Sequence, residues 1–373
     1  MGPVVLLDKS FIQSLGRSGS RFLSRYFYTN TTPLLALEIL GDLSKVSNRG
    51  PAGQKAVRDL ASRVHVLDSG VNVDAELACI SSLLGGHIKM ARQILVQGAY
   101  RLRTKSGESV GYIPENPVSL ALLRWSLGRF SEGEAILANH WRSVGRSLDL
   151  ESLKRSLGTP QSGLRSLLHL REAVDALLFE KSVQRALLVW FLDETRMVAE
   201  VRRWTLSRWD NGGYVFIRQF APYAYHCLKV ELFFSIGLQH GLITTRATNR
   251  LDMQYYWYCP FCQVFASRDR LHKDLSPFLL DEDQSFADGD QLCDELKRLS
   301  ACEEVTGKFV AESAPLICSI WQKHMAIGFP EYVDKENSTS ELSDAAFQGM
   351  IKEVMESISD AESKIPPPQR WPI

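Results

Sequence analysis

The chain has 373 residues, no formal net charge (43 basic and 43 acidic side chains) and an apolar fraction of 45%. That length suits two domains or one domain with a large insertion, and that apolar share suffices for a sizeable core. The neutral balance excludes a globally basic nucleic-acid coat, so any nucleic-acid contact must use a local patch.

Pro3 to Leu7 is a short apolar run that reads as a buried parallel strand with Asp8 at its carboxyl end. Ser10 stands where a helix cap belongs, before a helix over Phe11 to Phe27. Tyr28 to Thr32 reads as a polar, β-branched connector. Pro33 then opens a second helix to Lys45, with Leu34, Leu37, Leu40 and Leu43 at helical spacing. Glu38 and Asp42 share a face of it, and Asp42 reads as solvated. Ser47 to Gly53 is a breaker cluster. Beyond it the pattern is helix after helix: Ala75 to Gly98, Val118 to Val144, Leu150 to Leu157, Leu164 to Phe179 and Ser182 to Trp209. Asp210 to Gly213 is a turn, and Tyr223 to Leu238, almost free of charge, is a central helix. A strand over Val264 to Ala266 and helices over Gly289 to Leu299 and Ala311 to Met325 complete the ordered part. The acidic tail from Asp334 ends in three prolines and reads as partly helical or disordered.

The expectation is therefore an α/β fold, a parallel sheet flanked by helices, interrupted by a large all-helical insertion. The boundaries are an α/β domain of residues 1–48 plus 240–330, an insertion of 49–239 and a tail of 331–373. Strand ends are where a parallel sheet displays its functional groups. Four acids fall at such places: Asp8 after the first strand, Glu38 in the second helix, Asp252 at a helix start and Asp269 after the late strand. Two or more carboxylates brought together need a reason to tolerate their repulsion, and a divalent cation is the usual one.

Leu-Leu-Asp8-Lys-Ser10, Leu-Ala-Leu-Glu38, and Asp252 followed by Val-Phe-Ala-Ser267-Arg-Asp269 resemble the acidic motifs of the PIN (PilT N-terminus) nuclease family, in the family's order. The resemblance covers under a third of the chain, and the stretch around Tyr-Cys-Pro-Phe-Cys also resembles uncharacterised bacterial PIN-like proteins. It implies a metal-dependent phosphodiesterase, usually acting on RNA. Asp8, Glu38, Asp252 and Asp269 would be direct or water-mediated ligands of Mg²⁺ or Mn²⁺, and Ser10 and Ser267 would orient water or a carboxylate. Arg268 and Arg270 are the candidate contacts to the nucleic acid, though Arg268 stands where the motif often has a small polar residue. The insertion, about 190 residues, is far beyond ordinary loop lengths. It suits a lid, a specificity domain or an oligomer interface, and a protein partner such as an antitoxin-like regulator fits the same picture. The alternative is a catalytically silent scaffold of the same kind whose insertion binds a protein.

Each acid has a plainer reading. Asp8 and Asp252 can simply cap helices, Glu38 can be an ordinary half-buried acid, and Asp269 can be a turn residue. Cys259-Pro-Phe-Cys262 supplies two of the four ligands a zinc site needs, with His272 a possible third, and reads mainly as core packing. Arg202, Arg203 and Arg208 alternate with Trp204 and Trp209, a mixture able to bind and stack nucleic acid but more simply a solvated helix face. No Walker loop, HExxH or GxSxG is present. Seven cysteines without a framework, no run long enough to span a membrane and no leader in Met1 to Asp8 lead to the expectation of a cytoplasmic protein with free thiols.

Overall fold

The computed structural model describes residues 2–45, 52–67, 69–96, 100–103, 109–112, 116–147, 163–246, 248–306 and 313–325. Seven strands occur among them: β1 (Val4–Leu7), β2 (Tyr28–Thr31), β3 (Ser69–Val71), β4 (Tyr100–Arg103), β5 (Ser109–Tyr112), β6 (Val264–Ser267) and β7 (Ser285–Asp288). Five of them form one sheet in the order β3-β2-β1-β6-β7, with every pair parallel. Helices cover both faces, so the α/β class expected from the sequence is the class that forms.

β1 and β6 lie at the centre because they are apolar on both sides. Leu6 and Phe265 point into one hydrophobic cluster; Val5, Leu7, Val264 and Ala266 point into the other. This alternation is the two-residue period of a pleated strand. The first cluster packs the sheet against the helix Pro222–Gln239, whose Tyr223, Cys227, Phe233 and Phe234 are buried. The second packs it against the helices that hold Phe11, Leu23, Val57, Leu296 and Ile317.

Two segments differ from the sequence reading. Tyr28–Thr31 is a strand of the main sheet, not a connector. Its Asn30 is accommodated by long-range bonds: Asn30 Nδ2 donates to the Phe261 carbonyl (3.0 Å) and Asn72 Nδ2 to Asn30 Oδ1 (3.1 Å), while the buried hydroxyls of Thr29 and Thr31 have no hydrogen-bond partner among the described residues. The stretch 49–239, expected to be helical throughout, supplies β3 at one edge of the sheet, so the sheet draws on residues well past 48. The helix Ala52–His65 likewise packs Val57, Leu60 and Val64 into the core beneath the sheet. Residues 1–95 with 116–329 form one compact unit. The second unit, 96–115 with 330–373, contains the antiparallel hairpin β4-β5, with Tyr100 opposite Tyr112. The expected helix Leu150 to Leu157 and the tail from 331 lie outside the described residues. Among the described residues no helix is long and apolar enough to cross a membrane.

Each strand of the main sheet leads into a helix through a short polar residue. Asp8 accepts from Phe11 N, Thr32 from Leu35 N, Asp74 from Glu76 N and Leu77 N, Asp269 from Leu271 N, and Asp288 from Asp290 N and Gln291 N. These are helix N-caps, satisfying amide groups that have no partner within the helix. Pro33 at the first helical position adds a pre-set φ to the second of them. The carboxyl edge of the sheet is thereby ringed with helix N-termini, which carry partial positive charge.

Candidate functional site at the carboxyl edge

The strand order places the topological switch between β1 and β6. From β1 the chain builds outward through β2 and β3, then returns to add β6 and β7 on the other side. In open α/β sheets the crevice outside the carboxyl ends at such a switch is the usual ligand site. Asp8 ends β1 there and Ser267 ends β6. Ser267 Oγ donates to Asp8 Oδ2 across 2.6 Å, joining residues 259 apart in the chain.

Asp8 is only 3% exposed and is held on every side. Oδ1 accepts from Phe11 N (2.9 Å), and Ser10 Oγ donates to Oδ1 and Oδ2 (2.9 and 2.8 Å). Ser10 and Ser267 thus both donate to the Asp8 carboxylate. Ser10 Oγ accepts in turn from Arg268 N, and Ser267 Oγ from Asp269 N. Asp8 caps its helix as the plainer reading held; Asp269, read more plainly as a turn residue, is also a cap, and Asp252 lies within its helix behind the cap residue Thr248. The capping and the gathering of acids occur together.

His272 completes the arrangement. Its Nε2 lies 3.0 Å from the Asp252 carbonyl oxygen, and its Nδ1 lies 2.9 Å from Ser267 Oγ and 3.4 Å from Asp8 Oδ2. A carbonyl only accepts, so Nε2 is the nitrogen that donates to Asp252. Burial opposes a charge on the ring, and the hydrogen bond and charge of Asp8 outweigh it, so its pKa is raised.

Glu38 and Asp252 approach the same place from the helices Pro33–Gly41 and Asn249–Met253. Burial pushes the Glu38 carboxyl up to about 7. The hydrogen bond from Tyr255 and the charge of Lys9 oppose this, while Asp252 and Asp8 add to it. Burial likewise lifts Asp252 to about 6, with His272 and Arg246 opposing and Asp269 and Asp8 adding. Each of the four acids thus feels the charge of at least one of the others, though no three of them converge on one point. Tyr255 OH donates to Glu38 Oε2. Lys9 Nζ reaches the Glu38 carbonyl and Asp42 Oδ1, both at 2.7 Å, and Lys45 adds a second contact to Asp42. Asp42 is consequently buried and paired, not solvated.

The remaining candidates separate. Arg268 is half-exposed but tied to Asp290 at 2.5 Å, and Arg270 is exposed with Asp274 3.4 Å away, one helical turn on. Cys259 and Cys262 are fully buried, and Gln284 Nε2 bridges their carbonyls at 2.7 and 2.8 Å. Both nitrogens of His272 are spent elsewhere, so it is no third ligand to the cysteines. Arg208 is structural: it donates to the Leu83 and Phe220 carbonyls and lies over the Phe220 ring. His272, Tyr255 and Lys9 are the members of the site that the sequence did not reveal. The signal for His272 was its place one turn after the cap Asp269.

Among the described residues, no three His, Cys, Asp or Glu side chains stand close enough together to hold an ion as they are. The bonding explains why Asp8 is not available: a carboxylate offers about four lone-pair sites, and Phe11, Ser10, Ser267 and His272 occupy those of Asp8. Glu38, with Tyr255 as its side-chain donor, retains free lone pairs. Mg²⁺ characteristically takes one or two carboxylates, keeps several waters and adds substrate phosphate, so a complete protein cage is not required. The donor set fits such an ion. Comparison with family models, curated proteins and solved structures finds no match to this chain.

Proposed function

We propose that the carboxyl edge is the site of a PIN-like, metal-dependent phosphodiesterase that cleaves RNA. The observation that carries this reading is the mutual charge influence among Asp8, Glu38, Asp252 and Asp269 beside the switch point of a parallel sheet. Glu38 and Asp252 are the residues that would hold Mg²⁺ or Mn²⁺, with Asp269 reaching it through water and the fully bonded Asp8 acting on it only through its position in the network. Bound there, the ion would neutralise charge at a phosphate and acidify water.

The protein's own groups would do the positioning. His272, Ser10 and Ser267 hold Asp8 in one orientation. Tyr255, kept a donor by burial and by the Glu38 charge, orients Glu38. The ring of helix N-termini favours a phosphate on this edge. Arg246, beside Asp252, and Arg270 are the side chains nearest to hand for the backbone of the nucleic acid.

The test is cleavage of a mixed RNA pool with Mn²⁺ by the wild type and Asp8→Asn. The variant should lose at least about a hundredfold in rate, and equal rates in the two proteins would remove Asp8 from the site. A second reading is a silent scaffold that docks a protein. It is favoured by the apolar side chains Leu120, Leu127 and Ile136, which are 40%, 60% and 65% exposed on two helices of the insertion. Absence of cleavage by the wild type on every RNA and DNA substrate tried would favour it.

A further inference from the structure

A cavity of about 320 Å³ opens beside the acidic site, along the carboxyl ends of β2 and β3. It shares elements with that site. Leu34 and Leu37 line it from the helix that carries Glu38, and Gln254, Trp257 and Tyr258 line it from the segment that carries Tyr255. We propose that this cavity receives one unstacked purine base of a single-stranded nucleic acid whose backbone lies on the acidic site. The proposal rests on the phosphodiesterase reading for the backbone, and on the cavity itself for the base.

The walls are those of a stacking site. Trp141, Trp257 and Tyr258 supply aromatic surface, and Leu34 and Leu37 supply apolar surface. Aromatic side chains stack on bases splayed out of a strand, and this is how single-stranded sequences are read. The volume sits at the low end of small-molecule sites, room for one base with its sugar and not for two.

The polar groups are matched rather than one-signed. Arg250 donates to Glu194 Oε1 at 2.6 Å and to Glu231 Oε2 at 3.2 Å, so these two acids share a guanidinium. Asp74 is engaged as a helix cap. Three groups in the lining have no side-chain partner among the described residues: the Gln254 amide, the Arg196 guanidinium and the Glu76 carboxylate. The Trp257 indole N–H is unpaired as well, but its nitrogen is closed off from the cavity and is a core donor. Among the described residues, Arg196 is also one of two non-glycine residues with positive φ (53°), a backbone state that aims a side chain at some cost in strain. Donors and acceptors in balance, between aromatic faces, suit the edge of a neutral heterocycle. A pocket for an organic cation would instead present an excess of unpaired carboxylates.

The experiment is calorimetric titration of the full chain in EDTA, so that no catalysis intervenes. The ligands are guanosine and adenosine 5′-monophosphates, with uridine 5′-monophosphate, ribose 5-phosphate and choline as controls. One purine nucleotide should bind at a single site, at least about tenfold tighter than uridine 5′-monophosphate and ribose 5-phosphate, as loss of a stacked purine implies. Arg196→Ala and Gln254→Ala, both at partly or fully exposed positions, should each weaken it severalfold with an unchanged melting temperature, while Asp8→Asn should not. Equal binding of ribose 5-phosphate, preference for choline, or no heat with either purine overturns the base pocket. Purine binding without Mn²⁺-dependent RNA cleavage overturns the phosphodiesterase reading and leaves the pocket standing; cleavage without purine binding does the reverse.

Discussion

A Glu38→Gln substitution removes a carboxyl whose ionisation burial opposes, and keeps its volume and its partner Tyr255. Raising that carboxyl from 4.5 to about 7 is about 3 kcal/mol against the ionised form at 1.36 kcal/mol per tenfold. Glu38 is partly open to solvent, which trims the figure to about 2–3 kcal/mol. The sign follows from linkage: a folded-state pKa above the unfolded one means that the native protein binds more protons between the two values. The favourable contribution is therefore full below pH 4.5 and is lost as pH rises through 7. Urea unfolding in EDTA at pH 4.5 and pH 8, on wild type and variant, reads it directly. Glutamine never ionises, so the stability difference between variant and wild type should shift by about 2–3 kcal/mol in the variant's favour from the lower pH to the higher. A shift below about 0.5 kcal/mol would refute the claim that burial and the neighbouring acids strain the Glu38 charge.

Metal binding should show the same electrostatics from the other side. With Glu38 held at about 7 and Asp252 at about 6, an arriving cation must displace protons. Mn²⁺ affinity measured by calorimetry should rise at least about tenfold from pH 6 to pH 8, and a flat profile would separate these acids from the ion. Ser267→Ala should cost about 1–3 kcal/mol in unfolding free energy, because it strips a hydrogen bond from buried Asp8 and an acceptor from Asp269 N; a loss under about 0.3 kcal/mol would contradict the network. Gly289→Ala should be poorly tolerated although its φ is ordinary: a Cβ there meets Arg268 Cγ at 2.5 Å and Phe11 Cδ2 and Ser267 C at 2.9 Å. A destabilisation of about 1–3 kcal/mol, seen as a lowered melting temperature, is the expected outcome. Arg250→Ala should cost about 3–5 kcal/mol by leaving Glu231, 2% exposed, without its counter-charge.

The central strands and the helix Pro222–Gln239 were legible because burial on both sides writes an unbroken apolar run. β2 was not legible, since Tyr-Thr-Asn-Thr carries no such run. Its Asn30 is satisfied by Asn72 and by the Phe261 carbonyl, partners 42 and 231 residues away that no local pattern announces. β3 is three residues long, one of them glycine, too short for a period to register. The acids were legible one by one from their places after strands and at helix starts. His272 was read with the nearby cysteines because sequence proximity favoured them. Its real partners are Asp8, from the other end of the chain, and a backbone carbonyl, and only folding makes either a neighbour.

The bond between Ser267 and Asp8 has a consequence for the order in which the protein comes into being. A ribosome adding about 5–20 residues per second needs roughly 10–50 s to span the 259 residues between them. Throughout that interval β1 has a neighbour available on one side only, in β2, and the edge that will receive β6 stays open. The nascent chain cannot carry an assembled acidic site, whatever else has folded. The distance in sequence acts as a delay, and the last third of synthesis supplies both the missing strand and the histidine that steadies the first aspartate.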